Sequence, residues 1–174
     1  MALRQILTEP NKILREKSLK IENVDKDIQT LMDDMLETMY AAPGIGLAAI
    51  QVGVPKRIIV LDIDWKDKKN NPIYFINPEI ITKSKNISTY EEGCLSVPGQ
   101  FAEINRPDEC HVKFLDYYGQ PQEIKAQGML ATCIQHEMDH LEGILFIDYL
   151  SKLKKTMIVK KLSKQQKALE RIVV

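Results

Sequence analysis

Gln135-His136-Glu137-Met138-Asp139-His140-Leu141 carries the pattern His-Glu-x-x-His. Four residues on an α-helix are about one turn, so His136 and His140 stand one above the other on the same face. Two imidazoles so placed can share a metal ion, and Glu137 can reach a water held by that ion. The flanks predict the helix. Gly128 to Leu141 holds few breakers, and Gly143 is positioned to end it in a left-handed cap. The pentapeptide alone also fits an ordinary surface helix with two histidines, so the rest of the chain must supply a third ligand before it means a metal centre.

Downstream the chain offers little. Only 34 residues follow His140, and Glu142 and Glu170 are the only glutamates among them. Glu142 is two residues past His140, on a different helix face, and the place of a third histidine in an extended protease motif is held by Phe146. The third ligand must come from upstream. Cys133 shares the face of both histidines, but about 10 Å of helix rise separates it from His140. With ligand bonds of about 2.0–2.3 Å, one ion cannot reach all three, so Cys133 is expected to be an apolar wall. His111 alternates with Cys110, Val112 and Phe114, which predicts a solvent-facing histidine and a core Cys110. Cys94 remains. It follows Glu91, Glu92 and Gly93, a setting that suits a thiolate at a strand end better than a buried core thiol. One cysteine and two histidines leave a fourth position open, as catalytic sites do and closed structural zinc sites do not.

Around this centre, the pattern predicts an α+β fold with largely antiparallel sheets packed around a central metal-binding helix, an N-terminal helix and a C-terminal helix. Residues 1–24 read as a loose lead-in with a helical turn after Pro10, capped by Thr8. Asp25 caps a longer helix in which Ile28, Leu31, Met32, Met35, Leu36 and Met39 form an apolar stripe over a sheet, with Asp33, Asp34 and Glu37 opposite and Pro43 at its end. Arg57–Ile63 is a buried strand. Ile73–Asn77 and Glu79–Lys83 are two short strands broken at Pro78, and Glu109–Asp116 with Gln122–Gln127 form a hairpin. Ile144–Ile147 is a short strand or turn. Ser151 caps a strongly basic helix reaching about Leu169.

The bulk numbers narrow the class. A chain of 174 residues is expected to form one domain, 1–174. Twenty-four basic and 24 acidic residues cancel, which argues against a general nucleic-acid binder. No apolar run approaches the roughly 20 residues of a membrane span, and the first ten residues lack a secretory signal. Cys94, Cys110 and Cys133 are odd in number and unpaired in spacing, which predicts a reduced, cytoplasmic setting.

Three motifs then coincide. Gly44-Ile45-Gly46-Leu47-Ala48-Ala49-Ile50-Gln51 resembles the first motif of the peptide deformylases. Glu92-Gly93-Cys94-Leu95-Ser96 is similar to the second, and Gln135 to His140 to the third. Order, approximate spacing and chain length match, from about Leu3 to the basic tail. The resemblance implies that Cys94, His136 and His140 are the metal ligands and that Glu137 is the general acid/base. It implies that the Gln51 amide and the Leu95 N–H stabilise the oxyanion. The implied ion is Fe2+, with Zn2+, Ni2+ or Co2+ as substitutes. The implied substrate is the N-formylmethionine of a nascent polypeptide, cleaved to formate and a free amino terminus, with no membrane. The basic C-terminal helix has two readings, a solvated amphipathic helix as the default and a transient ribosome contact as the alternative. One departure is Phe101, where many bacterial members carry an arginine.

The chemistry agrees with the residue types. A divalent ion lowers the pKa of water far enough to supply hydroxide, and a carboxylate beside a ligand can move its proton to the leaving nitrogen. A thiolate among the ligands makes the ion a weaker Lewis acid than three histidines would. That suits an unhindered formyl carbonyl. Met129 and Cys133, with Gly44, Ile45, Gly46 and Tyr90, are candidates for the methionine pocket, their alternative being plain core packing. Glu92 either orients a histidine or pairs with Arg106, and Asp139 either fixes the second histidine or caps a surface. Three other functions compete. Gly44-x-Gly46-x-x-Ala49 fits a loose dinucleotide fingerprint, but what precedes it reads as a helix, where a strand is required. A closed metal module would leave Glu137 idle, and a general metalloprotease lacks its downstream ligand.

Overall fold

The computed structural model describes residues 2–172. Helix α1 spans Lys26–Ala41, and Asp25 Oδ1 accepts from the Ile28 N–H at 2.9 Å, as its cap position predicts. Five strands form one antiparallel sheet: β1 (Gly46–Ala48), β2 (Ile58–Leu61), β3 (Ile73–Lys83), β6 (Glu109–Leu115) and β7 (Pro121–Gln127), in the order β1-β2-β3-β6-β7. A separate antiparallel pair is made by β4 (Ile87–Cys94) and β5 (Val97–Pro107). Helix α2 covers Gly128–Leu141 and helix α3 covers Lys152–Ile172.

Strand β2 explains the layering. Successive side chains point to opposite faces of a sheet. Ile59 and Leu61 join Phe75, Val112, Ala131, Ile134 and Leu141 on the α2 side. Ile58 and Val60 join Ile28, Leu31, Met32, Met35 and Met39 on the α1 side. Both faces are therefore buried, and the sequence reads as an unbroken apolar run instead of an alternation. The sheet lies between α1 and α2, which places the His-Glu-x-x-His face against β1.

Several local expectations need correction. Asp34 does not face solvent: it is buried, accepting from the Ala2 N–H at 2.8 Å and from the Arg4 guanidinium at 2.9 and 3.1 Å. The N-terminal segment is accordingly not loose. It crosses α1 and continues to the site, where the Leu7 N–H donates to the Gln51 carbonyl (2.7 Å) and the Glu9 N–H to the Ser96 carbonyl (2.8 Å). Its 3-10 turn, Lys12–Arg15, is capped by Asn11 and not by Thr8, because Asn11 Oδ1 reaches the Ile13 N–H at 3.0 Å. Pro78 does not divide β3. The strand continues through a register shift between Ile76 and Glu79, with Asn77 at φ 50°, a conformation asparagine tolerates. Of the two readings of Ile144–Ile147 the turn is the right one, displaced by two residues: Phe146–Tyr149 forms a 3-10 turn.

Both ends of the later helices follow expectation. Gly143 sits at φ 72°, the Ile144 N–H reaches the Asp139 carbonyl at 2.9 Å, and a side chain at 143 would strike the Arg15 carbonyl. Ser151 Oγ accepts from the Lys154 N–H at 3.3 Å, and α3 runs three residues past Leu169. No helix among the described residues is long and apolar enough to cross a membrane.

Candidate metal centre

Cys94 is the last residue of β4, at the point where the hairpin register slips between Gly93 and Cys94. That slip turns the thiol toward α2. Cys94 Sγ lies 3.3 Å from His140 Nε2, and the ligand atoms of Cys94, His136 and His140 all fall within 4.8 Å of one another. The first separation is what two donors have around one small cation bound at about 2.0–2.3 Å. The donor set, one thiolate and two imidazoles, fits a borderline-soft divalent ion. Among the described residues this is the one cluster of three such donors.

The His136 ring is held from behind. Its Nδ1 meets Glu92 Oε2 at 2.8 Å, which leaves Nε2 for the centre. Arg106 forks onto the same carboxylate, Nε to Oε1 at 2.6 Å and Nη2 to Oε2 at 3.0 Å. Arg106 Nη1 then reaches Asp139 Oδ2 (2.8 Å), which also accepts from the Tyr149 hydroxyl (2.7 Å). Glu92 thus performs both of its expected alternatives. Asp139 performs neither, since it buttresses Arg106. Burial alone would raise the Glu92 carboxyl; hydrogen bonds from His136 and Arg106 outweigh it and hold the group below the usual carboxylate range. Burial is the main cause that holds the His140 imidazole well below its ordinary range.

This buttress yields a stability prediction. Arg106 and Glu92 are both nearly inaccessible, at 4% and 6% side-chain exposure. Arg106→Met strands a buried carboxylate, which costs about 3–5 kcal/mol. The melting temperature should fall by roughly 6–20 °C for a chain of this size. A thermal scan within about 2 °C of the native protein would show the pair to be dispensable.

Glu137 lies beside the ligands, 5% exposed, with Oε2 lacking a hydrogen-bond partner among the described residues. Burial pushes its carboxyl up to about 7; His136 and Arg106 oppose the push, and Glu92 and Asp139 add to it. Its other oxygen explains a glycine. A Cβ at Gly46 would sit 2.5 Å from Glu137 Oε1, and one at Gly44 would sit 2.8 Å from Leu95 Cδ1. Both first-motif glycines therefore permit close approach. Gln51 is buried and its orientation is fixed by the backbone: Oε1 accepts from the Ala48 N–H at 2.8 Å, so Nε2 must face Ser96 Oγ (3.0 Å) and Cys94 Sγ (3.6 Å).

A cavity of about 640 Å³ opens onto this group. It is lined by Gly44, Ile45, Gly46 and Gln51 from the first motif, Tyr90, Cys94 and Leu95 from the hairpin, and Met129, Cys133, His136 and Glu137 from α2. Every residue proposed from the sequence as a ligand, catalytic group or pocket wall lies there except His140, which is 1% exposed. Burial raises the Cys133 thiol to about 12, as an inert wall requires. Cys110 is in the core, and His111 sits at the surface against Glu123 Oε2 at 2.8 Å.

Some contributors were missed. Ser96, wholly buried, stood in the second motif but had no assigned role. The Arg106–Asp139–Tyr149 chain and the Leu7–Glu9 strap carry no local signal. The dinucleotide alternative fails, because α1 precedes Gly44 and the following segment is a strand of only three residues.

Residues 3–156 match the family model described as polypeptide deformylase. The chain is 68% identical over 164 residues to the peptide deformylase of Pelagibacter ubique, covering 94% of this chain and 95% of that protein. It is 57% identical over 171 residues to that of Maricaulis maris, covering 98% of each. Among solved structures, the peptide deformylase of Ehrlichia chaffeensis in complex with actinonin superposes with a TM-score of 0.91 at 46% identity, covering 95% of this chain and 98% of that one. That of Legionella pneumophila gives 0.90 at 46%, covering 98% and 99%.

Proposed function

The chain belongs to the peptide deformylase family, metal-dependent hydrolases that remove the formyl group from the N-terminus of newly made polypeptides, and from that premise we propose which of its residues carry the reaction. One observation carries the proposal: a thiol, two imidazoles and a buried carboxyl converge in a single cavity.

Cys94, His136 and His140 hold the ion, with Glu92 and Arg106 fixing the first imidazole. When bound there, a divalent ion would supply Lewis acidity and make water nucleophilic at neutral pH. Glu137 takes the proton of the attacking water on Oε2 and delivers it to the leaving nitrogen. Its burial supports this role, because a carboxyl raised toward neutrality is a stronger base for the first transfer and can hold the proton until the second. Gln51 Nε2 and the Leu95 N–H donate to the oxyanion as the carbonyl carbon becomes tetrahedral. Gly44, Ile45, Gly46, Tyr90, Met129 and Cys133 enclose the methionine side chain.

Formate release from a formyl-Met peptide by the anaerobically purified iron form tests this assignment; a fully loaded protein that releases none would overturn it. Gln51→Ala should lower kcat by about 100- to 1,000-fold without loss of metal, since one oxyanion donor is worth about 2.7–4 kcal/mol. Near-normal turnover would remove Gln51 from the site.

The resident ion is ferrous, with zinc, nickel or cobalt as substitutes, and metal analysis alongside activity tests this. Residues 1–174 act as one cytoplasmic catalytic domain. Three free cysteines support the compartment and a cavity shared by β1, β4 and α2 supports the unity; a second unfolding transition would contradict the latter. Helix α3 carries eight lysines and arginines against Glu170, which supports transient ribosome contact. Cosedimentation with ribosomes that survives removal of those charges would exclude α3 as the contact.

A further inference from the structure

We infer that Phe101 is a specificity-determining residue, its exposed ring at the cavity mouth favouring substrates with a large apolar side chain on the residues just after the formylmethionine. The inference rests on the deformylase assignment of the cavity.

The hairpin register pairs Phe101 with Gly93, the residue before Cys94. Gly93 has no side chain, and the ring takes that space: a Cβ there would lie 2.5 Å from Phe101 Cε1 and 2.7 Å from Cδ1. The ring is therefore seated against the strand that ends in the metal ligand. It nevertheless remains 67% exposed while lining the cavity. A lone apolar side chain on an open surface needs no explanation. This one has a defined seat on the rim of a concave site, where such surface is covered when ligand binds.

The rim supports an apolar preference and no charge preference. Met129, assigned to the methionine pocket, is 43% exposed and extends that apolar surface outward to the rim. The exposed charges lining the cavity, Lys66 and Glu91, have opposite signs. The deep part of the cavity lies among the ligands and Glu137, so the reacting residue occupies it and the following residues must leave across the rim. An apolar side chain there covers the Phe101 face, which is worth about a factor of ten in binding.

The test compares formyl-Met-Xaa-Ser and formyl-Met-Ser-Xaa peptides, with Xaa either Leu or Asn, on the iron-loaded native protein, Phe101→Ala and Phe101→Leu. The native protein should favour Leu at one of the two positions by about tenfold in kcat/KM, carried by KM. Phe101→Ala should bring that ratio close to one, Phe101→Leu should restore part of it, and Tyr118→Ala, an exposed aromatic outside the cavity, should retain it. Isothermal titration of each peptide into Glu137→Gln protein, with and without the Phe101 substitutions, reads peptide binding independently of turnover. If no peptide yields formate, the deformylase assignment fails, and the ratio of Kd values decides the role of Phe101 by itself. A Leu preference unchanged in Phe101→Ala, or absent in the native protein, overturns the inference.

Discussion

Glu137→Gln binds its full complement of metal and turns over about 100- to 10,000-fold more slowly than the native protein. The substitution keeps the shape of the side chain, including the oxygen packed on Gly46, and adds no volume. It removes the only property the mechanism needs, an oxygen that can gain and lose a proton. Glu137 is not a ligand, so metal analysis should return the native stoichiometry. Formate release under single-turnover conditions separates the chemical step from product release. A variant with native turnover would mean that the proton moves by another route, and the buried, unpartnered Oε2 would need a different explanation.

Cys94→Ala loses the ion. A buttress behind a ligand is worth about 10–100-fold in metal affinity, and losing the ligand itself costs more. The remaining imidazoles stand on one helix with no third donor among the described residues to converge on them. The fold should persist, because Cys94 is a half-buried strand end, the hairpin pairing is made by backbone groups, and Gln51 retains Ser96 as a partner. Metal analysis after gel filtration, paired with circular dichroism, checks both halves. Native occupancy in a folded variant would show that the wrong thiol was chosen. Cys133→Ala is the contrast: its thiol is a wall and the ion stays.

Patterns local in the chain were legible in advance. The His-Glu-x-x-His helix, its glycine cap, the Asp25 cap and the α1 stripe depend on neighbours three or four residues away. Cys94 was reached by eliminating the other donors, helix rise having set Cys133 aside, and the fold brings its thiol within 4.8 Å of both histidines. Long-range features escaped. Asp34 looked like a surface acid until Arg4, 30 residues earlier, was seen to pair with it. Asp139 looked like a partner for His140, yet its carboxylate is taken by Arg106, 33 residues away. β5 was missed because its turn, Cys94 to Val97, carries no strong hairpin signal, and because Arg106, buried in the strand, is a residue type usually exposed. The strap was hidden for another reason: Leu7 and Glu9 contribute backbone N–H groups, which every residue but proline possesses.

The two-stranded hairpin has its own ladder, separate from that of the five-stranded sheet. It is fastened to the body largely by side chains, through the Arg106 bridge and the apolar patch of Val97, Ile104, Phe146 and Leu162. Cys94 and Phe101 ride on this one leaf, near its tip. A substitution that tilts the leaf leaves the main sheet intact but moves a donor atom and the cavity rim together. Divergence within such an architecture is therefore correlated: the leaf cannot re-aim its grip on the peptide without also altering the ligand field at the ion. Room to vary the two independently lies in the identity of residue 101, with the pose of the leaf held constant.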